Sequence, residues 1–294
     1  MARTIDKGVV SSLACASRRA KLLSLLAMLF VTCILHAPVD AHTSLSSARY
    51  TLLIAGLDRD ATSHDPNRQT DAHADALILL SSQLGSGVVD ALHIPRDTRI
   101  YIPHSGYTKI NGMYLLRHRT GLAEAVSNLT GIHVDDVLVL DFARFRQALH
   151  LVPGILFKVD RPMRAPEGDV ALAPGTHVLS PTEALTVVRF RHEPLGDIGR
   201  VHRQERFMRS AVQLASRLPF GIFRRVMLTL DPQLSGRDIF LSYEMVHPLL
   251  QYHAHSVPGN FSTGQEVSYW LPDQRGMAVI AALILHKNLA EPAF

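Results

Sequence analysis

Apolar runs and the polar breaks between them divide this chain before any single residue is weighed. Leu22 to Leu35 is apolar except for Ser24, Thr32 and Cys33; it follows Arg18, Arg19 and Lys21 and stops before His36 and Pro38. A cationic flank, a short apolar run and the small or aliphatic residues of Val39-Asp40-Ala41 are the layout of an export signal. Fourteen residues rise only about 21 Å as a helix, short of the roughly 30 Å hydrocarbon core. Length therefore favours a cleavable signal, and a signal anchor remains the alternative. Residues 1–41 are assigned to this segment and the polar stretch 42–49 to a tether. Residues 50–290 are assigned to one domain, because no boundary interrupts them.

Within that domain Tyr50 to Leu57 is a continuous apolar run, the pattern of a buried strand. A polar loop follows to Ala74. Asp75 to Ser82 and Val88 to Ile94 are two further buried strands, and Gly85-Ser86-Gly87 between them predicts a hairpin. Arg99 to Ile102 is a short strand. Helical spacing covers Leu115 to Leu129 and Phe142 to Leu151, with strands at Val134–Leu140 and Ile155–Val159. Ser180-Pro181-Thr182-Glu183 is a helix start, with a capping serine, a proline in the first turn and a glutamate to complete the capping box. Further helices are expected over Arg200–Leu218, Asp238–Tyr252 and Met277–Leu289, and a strand over Val267–Leu271. Strands and helices alternate imperfectly, with one early hairpin, which predicts an α/β fold whose mixed sheet lies between helical layers.

Composition and charge narrow the function. A hydrophobic fraction of 47% and 19% charged residues exclude a disordered chain. The net charge is +4. Five basic and two acidic residues of the leader supply most of it, leaving +1 for residues 42–294. That near-neutral balance argues against nucleic-acid binding. Both cysteines, Cys15 and Cys33, lie in the leader, so the exported part has no disulfide, thiol nucleophile or cysteine metal site. Beyond the leader stand 22 Arg and 3 Lys. Genome composition can produce such a bias, but guanidinium forks also match phosphate oxygens bidentately where ammonium groups do not.

Polar residues gather where strands end: Asp58 and Arg59 after the first, Asp75 at the start of the second, Arg96 and Asp97 after the third. Ligands of open α/β sheets bind at strand ends, and paired carboxylates suit a hard cation that keeps waters and shares phosphate oxygens. A second cluster holds six arginines between 189 and 209. Arg200, Arg203 and Gln204 share one face near a helix start, where free N–H groups favour an anion; a solvated charged face is the plainer meaning of such a run. The glycines match neither a P-loop nor a dinucleotide fingerprint, and no serine stands in a nucleophile elbow.

In order, LLIAGLDRD (52–60), HADALILL (73–80), IPRDTRIYIP (94–103), KINGMY (109–114), GIHVDDVLVLDFARF (131–145) and VVRFRHEPLGDIGRVHRQERF (187–207) resemble the LytR–CpsA–Psr family of bacterial cell-envelope proteins. The match is clear over about residues 48–215 and continues weakly to about 288, with SYWLPD (268–273) at the place of the family's last strand. The resemblance implies a three-layer α/β/α sandwich with a mixed central sheet. It implies an enzyme that binds a polyprenyl-pyrophosphate-linked glycan in a long apolar groove and transfers the glycopolymer to a peptidoglycan acceptor at the extracytoplasmic membrane surface. Mg²⁺, or Mn²⁺, is the implied cofactor. By motif position Asp58 and Asp75 are the implied metal carboxylates, and Arg96 and Arg189 the pyrophosphate clamps. Arg59, Arg191, Arg200, Arg203 and Gln204 are further phosphate-site or supporting residues, and Lys109 and Asn111 lie on the rim. Where the family has an arginine two residues before Asp75, this chain has His73; Arg68 and Asp71 form an alternative pair. The general base is not identified; Asp97 and Asp197 are candidates, each also suited to orienting an arginine. The alternatives are a polyprenyl-pyrophosphate binder or pyrophosphatase without ligation, and an envelope-linked regulator.

Overall fold

The computed structural model describes residues 48–57, 72–164, 171–190, 197–263 and 267–286. The chain divides into two units, Met1–Ser46 and Ser47–Phe294, and the described residues all belong to the second. The expected export signal, Asp58, Arg59, Arg68, Asp71 and Arg191 lie outside the described residues.

The elements run in chain order as follows. Strands β1 (Arg49–Leu57), β2 (Ala74–Gln83) and β3 (Val88–Ile94) come first, then the short pair β4 (Arg99–Ile102) and β5 (Gly106–Lys109) and a single 3₁₀ turn at Ile110–Gly112. Helix α1 (Met113–Thr130), β6 (Asp136–Leu140), α2 (Phe142–Leu149) and β7 (Ile155–Val159) follow, then β8 (Met163–Arg164), β9 (Ala171–Leu172) and β10 (Gly175–Leu179). Helices α3 (Pro181–Arg189), α4 (Asp197–Ala215), α5 (Phe220–Leu230) and α6 (Gly236–Val246) lead to β11 (Gln251–Ser256), β12 (Gly259–Phe261), β13 (Trp270–Pro272) and α7 (Gln274–Ile284).

The central sheet has the order β11-β3-β2-β1-β6. β1 pairs antiparallel with β2, and β2 with β3; the outer strands β6 and β11 run parallel to their neighbours β1 and β3. The expected hairpin is present, turning through Gly85 and Gly87 at φ of 77° and 72°, where L side chains are strained. Alternation along the strands then sorts the side chains. Leu53, Leu79, Leu92 and Ile94 face a core closed by Leu122 and Val126 of α1 and Met277 and Ile284 of α7. Leu52, Ile78, Leu80 and Ala91 face the other way, toward Val212 of α4, Phe223 and Met227 of α5 and Ile239 and Met245 of α6. Both faces are covered by helices, so the expected three-layer arrangement around a mixed sheet is observed.

Asp231 ties the layers together. Its carboxylate is fully buried and accepts from Arg119 of α1 at 2.8 Å, the Val139 N–H of β6 at 2.8 Å and the Gln233 N–H at 3.1 Å. Burial pushes its pKa up, but the Arg119 hydrogen bond and the backbone donors outweigh that and hold it low.

Several boundaries differ from the expected ones. The helix expected over Asp238–Tyr252 ends at Val246, and residues 251–256 are the edge strand β11; Pro248 removes the N–H that another helical turn needs. Helix α5 was not expected at all. The helix expected at Leu115 begins at Met113 and is broken at Arg117 and His118, with φ of −141° and 52°. A Cβ at Gly121 would collide with the Arg117 Cβ there, so this glycine is required by the break. No helix among the described residues is long and apolar enough to cross a membrane.

Candidate active site

Three segments deliver the polar residues to one end of the sheet. The first is the turn after β3. Thr98 fixes it by donating its N–H and Oγ1 to the Pro95 carbonyl at 3.0 and 2.6 Å. The 3₁₀ turn holds it from below: the Ile110 N–H donates to Thr98 O and the Asn111 N–H to Arg96 O, at 2.9 and 3.2 Å. Trp270 N–H donates to Asp97 O at 2.9 Å from a third side. Arg96 leaves this clamped turn and its Nη1 lies 2.6 Å from Asp75 Oδ2 at the start of β2. Asp97 sits between Lys109 Nζ at 2.7 Å and Arg96 Nε at 3.7 Å. Lys109 therefore braces the turn through Asp97, and Asn111 through its backbone.

The second segment is α3. Ser180 Oγ accepts from the Glu183 N–H and Glu183 Oε2 accepts from the Ser180 N–H, at 3.3 and 2.8 Å, the capping box expected from the sequence. The helix ends at Arg189, whose guanidinium lies 5.1 Å from the Phe142 ring centre. Arg203 of α4 secures that end. It is only 1% exposed; its Nε donates to Val187 O at 2.8 Å and its Nη2 to Phe190 O. A guanidinium on the last carbonyls of a helix satisfies acceptors that have no partner within the helix and complements its negative end. Among the expected phosphate-site residues Arg203 thus has the geometry of a support.

The third segment is the first turns of α4, which bring Arg200 and Gln204 to the same place. Arg189, Arg200, Gln204 and Asp75 line a cavity of about 570 Å³. Its walls are apolar: Ile54, Ile78 and Leu80 from the sheet, Phe145 and Leu149 from α2, Phe207 and Met208 from α4, Met227 from α5. That volume is ordinary for a small-molecule site. A smaller cavity of about 40 Å³ adjoins it and shares Asp75, Ala76, Arg200 and Gln204, adding His93, Arg96 and Asp97. Asp75, Arg200 and Gln204 therefore stand where the two cavities join, with Arg96 reaching Asp75 from the smaller one and Arg189 in the wall of the larger. Among the described residues Arg96, Arg189, Arg200 and Lys109 stand with Asp75, Asp97 and Asp141 in and around these walls, a slightly positive balance that suits an anion. Among the described residues no group of three or more His, Cys, Asp or Glu side chains could hold a metal ion. A magnesium ion that keeps its waters needs only one or two protein carboxylates, and Asp75 fits that donor set.

Sequence reasoning missed His93. It is 3% exposed and its Nε2 has no hydrogen-bond partner among the described residues. Burial drives its pKa down to about 4, against the attraction of Glu205. The signal was present: His93 continues the alternation of Val89 and Ala91, so it points to the cavity face.

Residues 35–232 match the model of the LytR_cpsA_psr family. The "Regulatory protein MsrR" of Staphylococcus aureus is 31% identical over 141 residues, 47% of this chain and 43% of that protein. The "Polyisoprenyl-teichoic acid--peptidoglycan teichoic acid transferase TagV" of Bacillus subtilis is 28% identical over 178 residues, 57% of this chain and 44% of that one. The chain thus spans less than half the length of these curated relatives. Among solved structures, that of the family protein TagT with bound octaprenyl pyrophosphate lipid superimposes with a TM-score of 0.63 at 20% identity, covering 82% of this chain and 90% of that one.

Proposed function

The chain belongs to the LytR–CpsA–Psr family, and on that premise we propose that it transfers a glycopolymer from a polyprenyl-pyrophosphate carrier to peptidoglycan, at the extracytoplasmic face of the membrane. The observation that carries this is the junction itself: an apolar cavity of about 570 Å³ opening at a cluster of arginines. The lipid chain occupies the apolar cavity, burying isoprenoid surface at about 25 cal/mol per Å². The pyrophosphate lies at the mouth between Arg96, Arg189 and Arg200, with Gln204 as a neutral donor. Arg59 and Arg191 are assigned to the same phosphate site by motif position.

Attack by an acceptor hydroxyl on the phosphorus nearest the sugar expels polyprenyl phosphate, and negative charge builds on the phosphate oxygens. Fixed guanidinium groups stabilise that charge without reorganising, an effect worth about 10²–10³ in rate per donor removed. Arg203 and Lys109 act through Arg189 and Arg96, by holding the backbone or the counter-ion that aims them. Asp75, with Asp58, would hold a Mg²⁺ or Mn²⁺ ion, which supplies Lewis-acid neutralisation of phosphate charge when bound.

The test uses the full chain in detergent with a short-chain polyprenyl-pyrophosphoryl glycan, Mg²⁺ and peptidoglycan fragments. Mass spectrometry follows polyprenyl phosphate and joined product. Joined product from the wild type, reduced about 10²-fold or more in Arg96→Ala and Arg189→Ala, supports the reading. Polyprenyl phosphate without joined product supports a pyrophosphatase, and lipid binding without turnover a carrier-binding protein. The name of the MsrR relative keeps a regulatory role as the second reading; it requires a change in envelope gene expression that survives loss of the arginines.

A further inference from the structure

The smaller cavity has a floor with no role in the lipid site. It lies against the pyrophosphate mouth; Arg96, Asp97, Arg200 and Gln204 are its polar walls, Leu77, Val201 and Phe261 are among its apolar ones, and His93 borders it from the sheet. At about 40 Å³ it admits roughly two or three waters, or one hydroxymethyl group, but no sugar ring. The His93 side chain is 97% covered (3% exposed), and its Nε2 is buried without a partner among the described residues. Leaving such a nitrogen unpaired is unfavourable, so an orphan atom beside a reactive site calls for a ligand.

We propose that this chamber receives the acceptor's hydroxyl group and that His93 Nε2 takes up its proton as the hydroxyl oxygen attacks phosphorus. The inference rests on the transferase reading above and supplies the base which that reading lacks. The proton passes from the hydroxyl to Nε2, and the new bond forms between acceptor oxygen and the sugar-bearing phosphorus. The phosphoanhydride bond breaks, and its electron pair leaves with polyprenyl phosphate. The imidazolium returns its proton to solvent before the next turnover.

The surroundings suit that cycle. Buried and neutral, His93 presents a lone pair at Nε2 when its other nitrogen carries the proton. Glu205 of α4 lies close enough to favour the protonated ring. That carboxylate is fixed by Ser256 Oγ, which donates to its Oε1 at 2.8 Å, and by His202, 3.3 Å from its Oε2. His202 opposes protonation of His93, as burial does. Arg96 and Arg200 stand in the chamber wall as well, with Asp97 and Asp75 beside them. Burial keeps the ring neutral and able to accept a proton but makes it a weak base, and Glu205 offsets part of that by receiving the charge.

The experiment compares the full-length wild type with His93→Gln, which keeps a hydrogen-bonding group and loses the basic nitrogen. Binding of the polyprenyl-pyrophosphoryl glycan and the transfer rate to peptidoglycan fragments are measured separately. The expected result is lipid affinity within about twofold of wild type and kcat for transfer lower by about 10²–10⁴. Should His93→Gln fold poorly, His93→Ala is assayed with added imidazole, and saturable return of transfer carries the same conclusion. Either variant binding lipid and transferring within about threefold of wild type overturns the proton-acceptor role and leaves the transferase reading standing. A wild type that binds lipid and joins nothing overturns both.

Discussion

The two faces of the central sheet carry the same alternation of aliphatic side chains and meet different fates. Leu53, Leu79 and Leu92 are sealed under α1 and α7, each at most 1% exposed. Their strand neighbours Leu52, Ile78 and Leu80 form the floor of a cavity of about 570 Å³ beneath α4, α5 and α6. Apolar residues alone therefore do not decide whether a face is filled. The covering helices decide it, and on the second face α4 is held at its start by Arg203 clasping α3, and α5 at its end by Asp231 clasping β6 and α1. Helices pinned at their ends to polar partners can stand off the sheet in mid-span.

The largest test of that contrast removes a pin. Asp231→Ala leaves the half-buried Arg119 without its counter-charge and strips the Val139 and Gln233 N–H groups of their acceptor, and should destabilise the protein by up to about 3–5 kcal/mol, read by chemical denaturation at pH 7. Because the folded-state pKa of Asp231 lies below its unfolded value, its contribution is present above pH 4 and is lost as pH falls through the folded value. The wild-type advantage over Asp231→Ala should shrink accordingly in acid.

The next test uses adjacent leucines on opposite faces. Leu79→Ala should cost about 3–5 kcal/mol, in the upper range for a sealed leucine. Leu80→Ala should cost less by about 1–2 kcal/mol, because a side chain bordering a cavity has fewer partners to lose. Equal losses would mean that the second face is as closely packed as the first. Conversely, Leu80→Phe should weaken polyprenyl-pyrophosphate binding with little loss of stability, while Leu79→Phe should cost about 1–3 kcal/mol through overpacking.

The smallest expected effect lies at the far end of the hollow face. Asp136 is pushed up to about 6, first by burial and then by its hydrogen bond and proximity to Asp238. A carboxyl whose folded pKa is raised is more costly to ionise in the folded state, so wild-type stability should fall as pH rises through 6. Asp136→Asn should remove that fall and gain up to about 1 kcal/mol at pH 8 after solvent screening is allowed for, with no gain at pH 4.

Much of this was legible in the sequence. The three long strands, the β2–β3 hairpin, the Ser180 capping box and the polar residues at strand ends all rest on local patterns that survive in the fold. Asp75, Arg96, Arg189, Arg200 and Gln204 were selected from motif position, and the structure sets all five in the walls of two adjoining cavities. What was not legible depends on long-range contacts. β11 is built from Gln251, His253 and His255 among its six residues, and only pairing with β3 makes it a strand. Lys109 and Arg203 carry the same charge as the residues that line the cavities, and spacing cannot tell a guanidinium that faces a ligand from one that faces a carbonyl. His93 was passed over because the β3 alternation tells only which face it takes; its meaning comes from α4 and Arg96, which line the same small cavity.

The ion pair between Arg96 and Asp75, at 2.6 Å, has a consequence for selectivity. Arg96 does not wait as a bare cation; it already holds a counter-ion, and an anion that enters competes with that carboxylate for its charge. A monoanion such as acetate replaces like with like and gains little. A pyrophosphate diester brings more charge on more oxygens and can hold Arg96 while Asp75 is released. The pairing works as a threshold, discounting the small anions of the medium and passing a ligand whose charge exceeds that of the carboxylate it displaces.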